Sequence, residues 1–285
     1  MNRRAFIHAG LAALAIGCQN NRSNRRAALN PVLAFNTANL VARFSNYRFD
    51  LNKWGDQHRL TVARTDEAAW AAICAAIAQT GFRTVEIWEA HASPETMSRA
   101  RATAWNNILA DHGLKAIGYA GGLRRETVQV CQWLNLPFIS GSNLHGLKPA
   151  DATALCRASG IAFNLENHPE KTVEEILAKI GGGNDWLGVC VDTGWLGTQG
   201  ADAPAAIRRL GTLVRHTHIK DVKAAGAHQT CLLGEGVVRV ADCLAALQAI
   251  HYRGIYAWED EPEDRNPLPT AARNRQWIER HLTAA

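Results

Sequence analysis

The stretch that decides the fold of this 285-residue chain is residues 187–221, LGVCVDTGWLGTQGADAPAAIRRLGTLVRHTHIKD. It holds two strand candidates, 187–192 and 214–219, with a longer segment between them. The first is apolar almost throughout, which is typical of a strand in a parallel sheet covered by helices. Both candidates end in polar residues, Asp192 in one case and His218 followed by Lys220 in the other.

The same unit recurs on both sides of this stretch. Short apolar runs alternate with amphipathic helical patterns such as 66–79, 94–111, 172–180, 238–250 and 270–282. Strands interleaved with helices favour a parallel sheet, and eight such units favour its closure into a barrel. The strand candidates are 32–36, 82–88, 114–119, 136–140, 161–166, 187–192, 214–219 and 254–259. The sequence therefore predicts an α/β protein with a (β/α)₈ TIM barrel over residues 31–285.

One segment breaks this alternation. Residues 38–64 are long, polar and aromatic where a short loop is expected after the first strand. Loops longer than about 15 residues in compact domains are usually functional or disordered. Because the segment contains Phe44, Tyr47, Phe49 and Trp54, we expect an extended but ordered loop that covers the barrel mouth.

The N-terminal segment carries the excess charge. The formal net charge is +5, but residues 1–30 contain five arginines and no acidic residue, so basic and acidic residues balance in the rest. A nucleic-acid-binding domain keeps its positive charge on the folded part, so no nucleic-acid partner is expected. Arg3-Arg4, an apolar core at 11–16 and Gly17-Cys18 are typical of a twin-arginine, lipoprotein-like signal peptide followed by a linker. We expect a periplasmic protein or a lipoprotein anchored to the membrane through Cys18; a short buried helix is the alternative.

Potential metal ligands terminate four consecutive strand candidates. These are Glu166, Asp192, His218 and Glu259. Chemistry in TIM barrels sits at the C-terminal strand ends, and charged groups there are costly unless they are paired or ligated. A mainly oxygen donor set suits Mn²⁺, Mg²⁺ or Co²⁺, with Zn²⁺ as an alternative. Each residue also has a structural alternative: Asp192 as a helix cap, His218 as a core histidine and Glu259 as an arginine partner.

These motifs resemble those of the xylose isomerase-like TIM barrel family, which includes sugar epimerases, hydroxypyruvate isomerase, inosose dehydratase and an AP endonuclease. The resemblance runs from about residue 32 to the C-terminus and rests on GFRTVEIW, NLENHPE, VDTGW, HTHIKD, LGEG and YAWEDE. It implies that one divalent ion is bound by Glu166, Asp192, His218 and Glu259, and that Glu86 contacts substrate. Many relatives read Asp-Thr-x-His after the sixth strand, where this chain has Trp195. That departure disfavours the three-zinc nuclease.

The resemblance also implies a reaction. We expect a metal-dependent isomerase or epimerase that acts on an unphosphorylated sugar, keto-sugar or inosose through an enediolate. Glu166 and Glu259 are the expected acid/base pair, with Lys220 as an electrophile or proton donor. His168 and Trp195 are expected to contact the small sugar or polyol substrate. A lyase or dehydratase acting on a keto-sugar or keto-glycoside and a non-catalytic carbohydrate-binding lipoprotein remain alternatives.

Overall fold

The computed structural model describes residues 31–283, in which eight parallel strands form a closed barrel. Strands follow one another around the barrel in sequence order, and β1 closes it by pairing with β8. The strands are β1 Val32–Asn36, β2 Thr84–Trp88, β3 Lys115–Ala120, β4 Phe138–Gly141, β5 Ala162–Glu166, β6 Leu187–Asp192, β7 Val214–Ile219 and β8 Ile255–Trp258. The predicted (β/α)₈ TIM barrel is confirmed.

Helices cover the outside of the barrel and bury their apolar faces against it. In the second helix, Trp70, Ile73, Cys74 and Ile77 are buried at the spacing of one helix face, and the Asp66 carboxylate caps the N-terminus. The helices are α1 Trp54–Arg64, α2 Glu67–Gln79, α3 Arg99–Asp111, α4 Arg125–Leu134, α5 Pro149–Ser159, α6 Val173–Lys179, α7 Thr193–Thr198, α8 Ala203–Leu210, α9 Val240–Ala249 and α10 Leu268–Thr283. None of the helices described is long and apolar enough to cross a membrane.

The segment after β1 is ordered and partly helical. It forms short 3₁₀ turns at Thr37–Leu40, Arg43–Ser45 and Leu51–Lys53 and then enters α1, so its second part is a helix rather than the expected loop. Phe49 and Trp54 pack against a small apolar cluster that is separate from the main core and includes Trp88. The Asn39 amide ties the segment to β8 by donating to the Trp258 carbonyl and accepting from the Asp260 amide.

The loop that follows β7 is closed at its base by one carboxylate. Asp221 accepts hydrogen bonds from the backbone N–H groups of Val222, Gly234, Gly236 and Val238. A side chain at position 236 would clash with that carboxylate and with the Val222 carbonyl, so the position requires glycine. The HTHIKD and LGEG motifs therefore meet in one structural feature.

Residues 1–30 lie outside the described residues. The expected signal peptide, with Arg3-Arg4 and Cys18, falls in that range and stays a prediction.

Candidate functional site

A cavity of about 520 Å³ opens at the carboxyl ends of the strands, where the strand-end residues were expected to meet. Seven of the eight predicted site residues line it: Glu166, His168, Asp192, Trp195, His218, Lys220 and Glu259. The eighth, Glu86, does not. The structure thus brings together side chains from four strands and the loops that follow them, as the strand-end pattern predicts.

Glu166, His218 and Glu259 form the centre of the site, at the ends of β5, β7 and β8. The His218 Nδ1 atom lies 2.8 Å from Glu166 Oε1 and 3.4 Å from Glu259 Oε2. One potential ligand atom from each residue lies within 4.8 Å of the other two. An amide from β1 completes the group, since Asn36 Nδ2 donates to Glu259 Oε1 at 2.7 Å.

Glu86 lies one layer deeper than expected. Its side chain is fully buried in the barrel, and its Oε2 lies 3.0 Å from His218 Nε2. The Ser140 hydroxyl donates to the other carboxylate oxygen. His216 Nε2 also lies 3.0 Å from Oε2, but the N–H direction is wrong for a hydrogen bond and both His216 ring nitrogens are unpaired. The structure therefore gives Glu86 no access to a ligand in the cavity, contrary to the expected substrate contact.

Lys220 is surrounded by three carboxylates. Its Nζ lies 2.6 Å from Glu261 Oε2, 3.0 Å from Glu259 Oε2 and 3.5 Å from Asp192 Oδ2. Burial would lower the pKa of Lys220, but these acidic neighbours outweigh it and raise the pKa well above its ordinary value. The ammonium group stays charged, so Lys220 can hold an oxygen atom of a ligand or donate a proton to it. Glu261 was not predicted; it follows in the same YAWEDE motif.

Asp192 has two roles in the structure. Its Oδ1 accepts from the Trp195 N–H and caps α7, which is the structural alternative considered from the sequence. Its other oxygen faces Lys220. The Asn167 side chain holds the Asp192 backbone through two hydrogen bonds, one to its N–H and one to its carbonyl. Asp192 is thus joined to Glu259 through the Lys220 ammonium, and its carboxylate is not in the group of ligand atoms formed by Glu166, His218 and Glu259.

Glu166 and Glu259 have different electrostatic environments. Burial would raise the pKa of Glu166, but the charge and hydrogen bond of His218 lower the pKa to about 2. Burial and the neighbouring Glu261 carboxylate raise the pKa of Glu259 well above its ordinary value. Two carboxyl groups whose pKa values are pushed apart in one site are typical of acid/base pairs.

The rest of the cavity wall is aromatic and apolar. The Trp195 ring lies between His168 and His228, at centroid distances of 3.8 and 5.1 Å. Its Nε1 has no hydrogen-bond partner in the structure. The opposite wall contains Trp54 and Trp88, whose rings touch at a centroid distance of 5.6 Å. Apolar ring faces of this kind suit the C–H surfaces of a sugar.

The central residues fit the divalent ion that the resemblance implies. Adjacent ligands of an ion with bonds of about 2.1 Å lie about 3 Å apart, close to the separations between His218 Nδ1 and the two carboxylates. Since His218 Nε2 faces Glu86, the Nδ1 atom is the one that faces the cavity. Glu166, His218 and Glu259 would hold the ion. Asp192, the fourth expected ligand, faces Lys220 at 3.5 Å and is not part of this group.

Comparisons with known proteins agree with this fold. The family model described as xylose isomerase-like TIM barrel matches residues 147–281. No curated protein matches the sequence significantly. An L-ribulose 3-epimerase structure superposes with a TM-score of 0.65 at 17% identity, covering 89% of this chain and 95% of that one. A Mycobacterium smegmatis protein of the same barrel type, in complex with magnesium, superposes with a TM-score of 0.63 at 17% identity, covering 78% of this chain and 91% of that one. A probable 3-DHS dehydratase from Bacillus anthracis superposes with a TM-score of 0.60 at 14% identity, covering 87% of this chain and 98% of that one.

At these identities the solved structures establish the fold alone, while the family model adds a sequence pattern that spans β5 to β8. Both agree with the resemblance inferred from the motifs. The predicted roles of the site residues remain predictions. The protein is a closed (β/α)₈ TIM barrel whose residues 147–281 match the family model described as xylose isomerase-like TIM barrel.

Proposed function

We propose that the protein is a metal-dependent isomerase or epimerase that acts on an unphosphorylated sugar, keto-sugar or inosose. The observation that carries this proposal is that Glu166 and Glu259, whose pKa values are shifted in opposite directions, both lie within 3.4 Å of His218 Nδ1 in the cavity. Isomerisation next to a carbonyl needs one group that removes a proton and another that returns it. The similarity in fold to an L-ribulose 3-epimerase supports the same class of reaction.

The residues divide the work as follows. Glu166, His218 and Glu259 would hold a divalent ion, which would supply polarisation of the substrate carbonyl and so make the neighbouring C–H bond more acidic. Glu166, kept ionised by His218, removes that proton and leaves an enediolate. Glu259, the more basic of the two carboxylates because burial and Glu261 raise its pKa, returns a proton to the opposite face or to the neighbouring carbon. Lys220 donates a hydrogen bond to the developing oxygen charge.

The charges along the cavity favour a neutral substrate. Among the described residues that line it there is no arginine, and the single lysine is already paired with carboxylates. A phosphate group would meet Glu166, Asp192, Glu259 and Glu261 and would find no bidentate partner. A polyhydroxylated substrate can instead donate its hydroxyl protons to these carboxylates.

Deuterium exchange tests the proposal. Metal-loaded protein is incubated in D₂O with free ketoses, keto-glycosides and inososes, and we expect deuterium beside the carbonyl for at least one class, measured by NMR. Glu259→Gln should abolish this exchange, whereas the control Glu170→Gln, whose carboxylate pairs with Lys179 outside the cavity, should retain it. Exchange only with sugar phosphates would contradict the neutral substrate. Exchange with no class would favour a carbohydrate-binding protein.

A lyase is a second candidate, favoured by the size of the cavity. A hexose fills roughly 200 Å³ if each of its twelve non-hydrogen atoms takes little more than half the volume of a water, about 30 Å³. The cavity is more than twice as large, and Trp54 and Trp88 line the side away from the carboxylates. A keto-glycoside, with a sugar ring and an aglycone, would fill both parts.

The lyase reaction begins with the same proton transfer. The electron pair then expels the glycosidic oxygen, which takes a proton and leaves an unsaturated keto-sugar. Phenyl keto-glycosides distinguish the two outcomes, because a lyase releases phenol while an epimerase returns the labelled glycoside. Phenol release that is lost in Glu166→Gln would assign the lyase, and labelled glycoside without phenol would assign the isomerase.

We also propose that the protein is exported by the twin-arginine route and reaches the periplasm or the membrane surface. The support is the sequence pattern in residues 1–30. Replacing Arg3 and Arg4 with lysine should retain the protein in the cytoplasm, measured by cell fractionation. Cys18→Ala should move it from the membrane fraction to the soluble periplasmic fraction. An unchanged distribution for Cys18→Ala would contradict lipidation but not export.

A further inference from the structure

We propose that Glu86 is a positioning residue that holds His218 in the orientation needed to bind the divalent ion through Nδ1. The inference rests on the proposed metal-dependent function and adds a residue that lies outside the cavity. It also explains why a fully buried carboxylate sits in the barrel interior, where an isolated charge is costly.

Geometry places Glu86 directly behind His218. The two residues lie on β2 and β7, which are not neighbours, so their side chains meet across the barrel interior. The His218 imidazole lies between two acidic partners: Nε2 faces Glu86 Oε2 at 3.0 Å, and Nδ1 faces Glu166 Oε1 at 2.8 Å. His218 is almost fully buried, and the two contacts fix both its position and its ring orientation.

The contact with Glu86 also selects the tautomer. A carboxylate accepts a hydrogen bond, so Nε2 keeps its proton toward Glu86, and Nδ1 is the nitrogen that would give up its proton and present a lone pair to an ion in the cavity. Metal-binding histidines usually donate their second N–H to a carboxylate or carbonyl, which orients the ring and increases the basicity of the ligand nitrogen. Glu86 supplies such an acceptor on the Nε2 side of the ring, inside the barrel, while Glu166 and Glu259 lie on the Nδ1 side, in the cavity.

Glu86 is itself held in place. The Ser140 hydroxyl donates to its Oε1 from β4, and the His216 imidazole lies beside its Oε2. These contacts from β4 and β7 leave the Glu86 carboxylate little freedom to move.

The same buried region offers one competing interpretation. Potential ligand atoms of Cys190, His216 and His218 lie within 4.8 Å of one another, and all three side chains are buried. If these residues bound an ion, Glu86 would be a ligand of a second site and not a positioning residue. Both sites would then share one imidazole ring, so the number of ions per chain separates the two interpretations.

The test compares Glu86→Gln with Glu89→Gln. Glutamine keeps the size of Glu86 but removes its charge and one acceptor. Glu89 is a matched control, because it is a buried carboxylate just after β2 that bonds Arg124 and does not contact His218. Mn²⁺ affinity is measured by calorimetric titration, and the His218 tautomer by ¹⁵N NMR of the Zn²⁺-loaded protein. We expect about 10–100-fold weaker binding in Glu86→Gln, a changed His218 spectrum, and less than about threefold weaker binding in Glu89→Gln.

The results separate the inference from the proposed function. If the unaltered protein bound no divalent ion, the metal-dependent function would fail. If it bound one ion and folded Glu86→Gln bound it equally well, only the positioning role would fail. Two ions per chain, reduced to one by Cys190→Ser, would also overturn that role. Should Glu86→Gln not fold, Ser140→Ala removes one support of Glu86 and should weaken Mn²⁺ binding severalfold, and unchanged affinity there would contradict the inference.

Discussion

The two halves of the barrel contribute different materials to the same cavity. The half from β5 to β8 and the loops that follow its strands supply all the carboxylates, imidazoles and ammonium groups among the described lining residues. The half from β1 to β4 supplies indole rings, small side chains, glycine backbone and the Asn143 amide. The family model matches the half from β5 to β8 and not the half from β1 to β4. A bound ion and a proton transfer require particular atoms at particular places, whereas a wall requires only shape and polarity.

Two residues of the half from β1 to β4 contact the reactive groups of the other half. Asn36 reaches Glu259 from β1, and Glu86 reaches His218 from β2. Each contacts a predicted ligand from the side or from below and leaves the cavity face open. The first half thus supports the reactive groups without carrying them.

The largest loss of Mn²⁺ affinity is expected for a ligand in the half from β5 to β8. Glu166→Gln removes a charged ligand atom from the group around His218 Nδ1 and should weaken Mn²⁺ binding more than about a hundredfold, because even outer partners of ligands contribute about 10–100-fold. Calorimetric titration measures the affinity, and circular dichroism checks the fold. If elemental analysis found one full equivalent of Mn²⁺ in the folded variant, Glu166 would not be a ligand and the assignment of metal binding to the half from β5 to β8 would be contradicted.

A second prediction assigns a stability role to the first half. His91 is buried just after β2, beside Thr37, and burial lowers its pKa to about 3. Between pH 6.5 and that value the unfolded chain binds a proton that the folded chain does not, so stability falls as the pH falls through this range.

The expected loss in free energy of unfolding for metal-free protein from pH 7 to pH 5 is about 2 kcal/mol from this histidine. Urea unfolding of the protein and of folded His91→Gln measures the difference, because glutamine does not titrate and removes this part of the pH dependence. An equal pH dependence in both proteins would show that His91 is not held neutral.

The third prediction separates the two roles of Asp192. Asparagine also caps helices, so Asp192→Asn should keep the hydrogen bond to the Trp195 N–H and shift the melting temperature by less than about 2 °C. It removes the charge that faces Lys220 and should weaken Mn²⁺ binding about tenfold if the residue reaches the ion. If neither the Mn²⁺ affinity nor the melting temperature changed, the only role left for Asp192 would be to cap α7.

The sequence predicted the strands better than their surroundings. The bounds 32–36, 187–192 and 214–219 agree with the structure, because apolar runs that end in polar residues mark buried strands clearly. Helix α1 was missed, since its sequence WGDQHRLTVAR is mostly polar and Thr61 is its one fully buried residue. At its first residue, Trp54 packs against the nearby Phe49 and against Trp88 of β2, which is 34 residues away in the sequence and which no local pattern could reveal.

The candidate site was also predicted in part. Strand ends meet at one mouth in any such barrel, so Glu166, His218 and Glu259 could be expected together. The depth of Glu86 was missed because β2 continues to Trp88, so Glu86 lies in the middle of the strand and not at its carboxyl end.

The Asp221 carboxylate has a consequence for how the cavity can change. It holds the backbone at Val222, Gly234, Gly236 and Val238. A change within the loop between these positions should therefore have little effect on the stability of the barrel. His228 and Thr230 reach the cavity from inside that loop. Lengthening a loop whose ends are already held costs only about 0.6 kcal/mol for each doubling. New specificity can therefore be introduced between residues 223 and 233, by evolution or by loop grafting, as an exchangeable part on an unchanged scaffold.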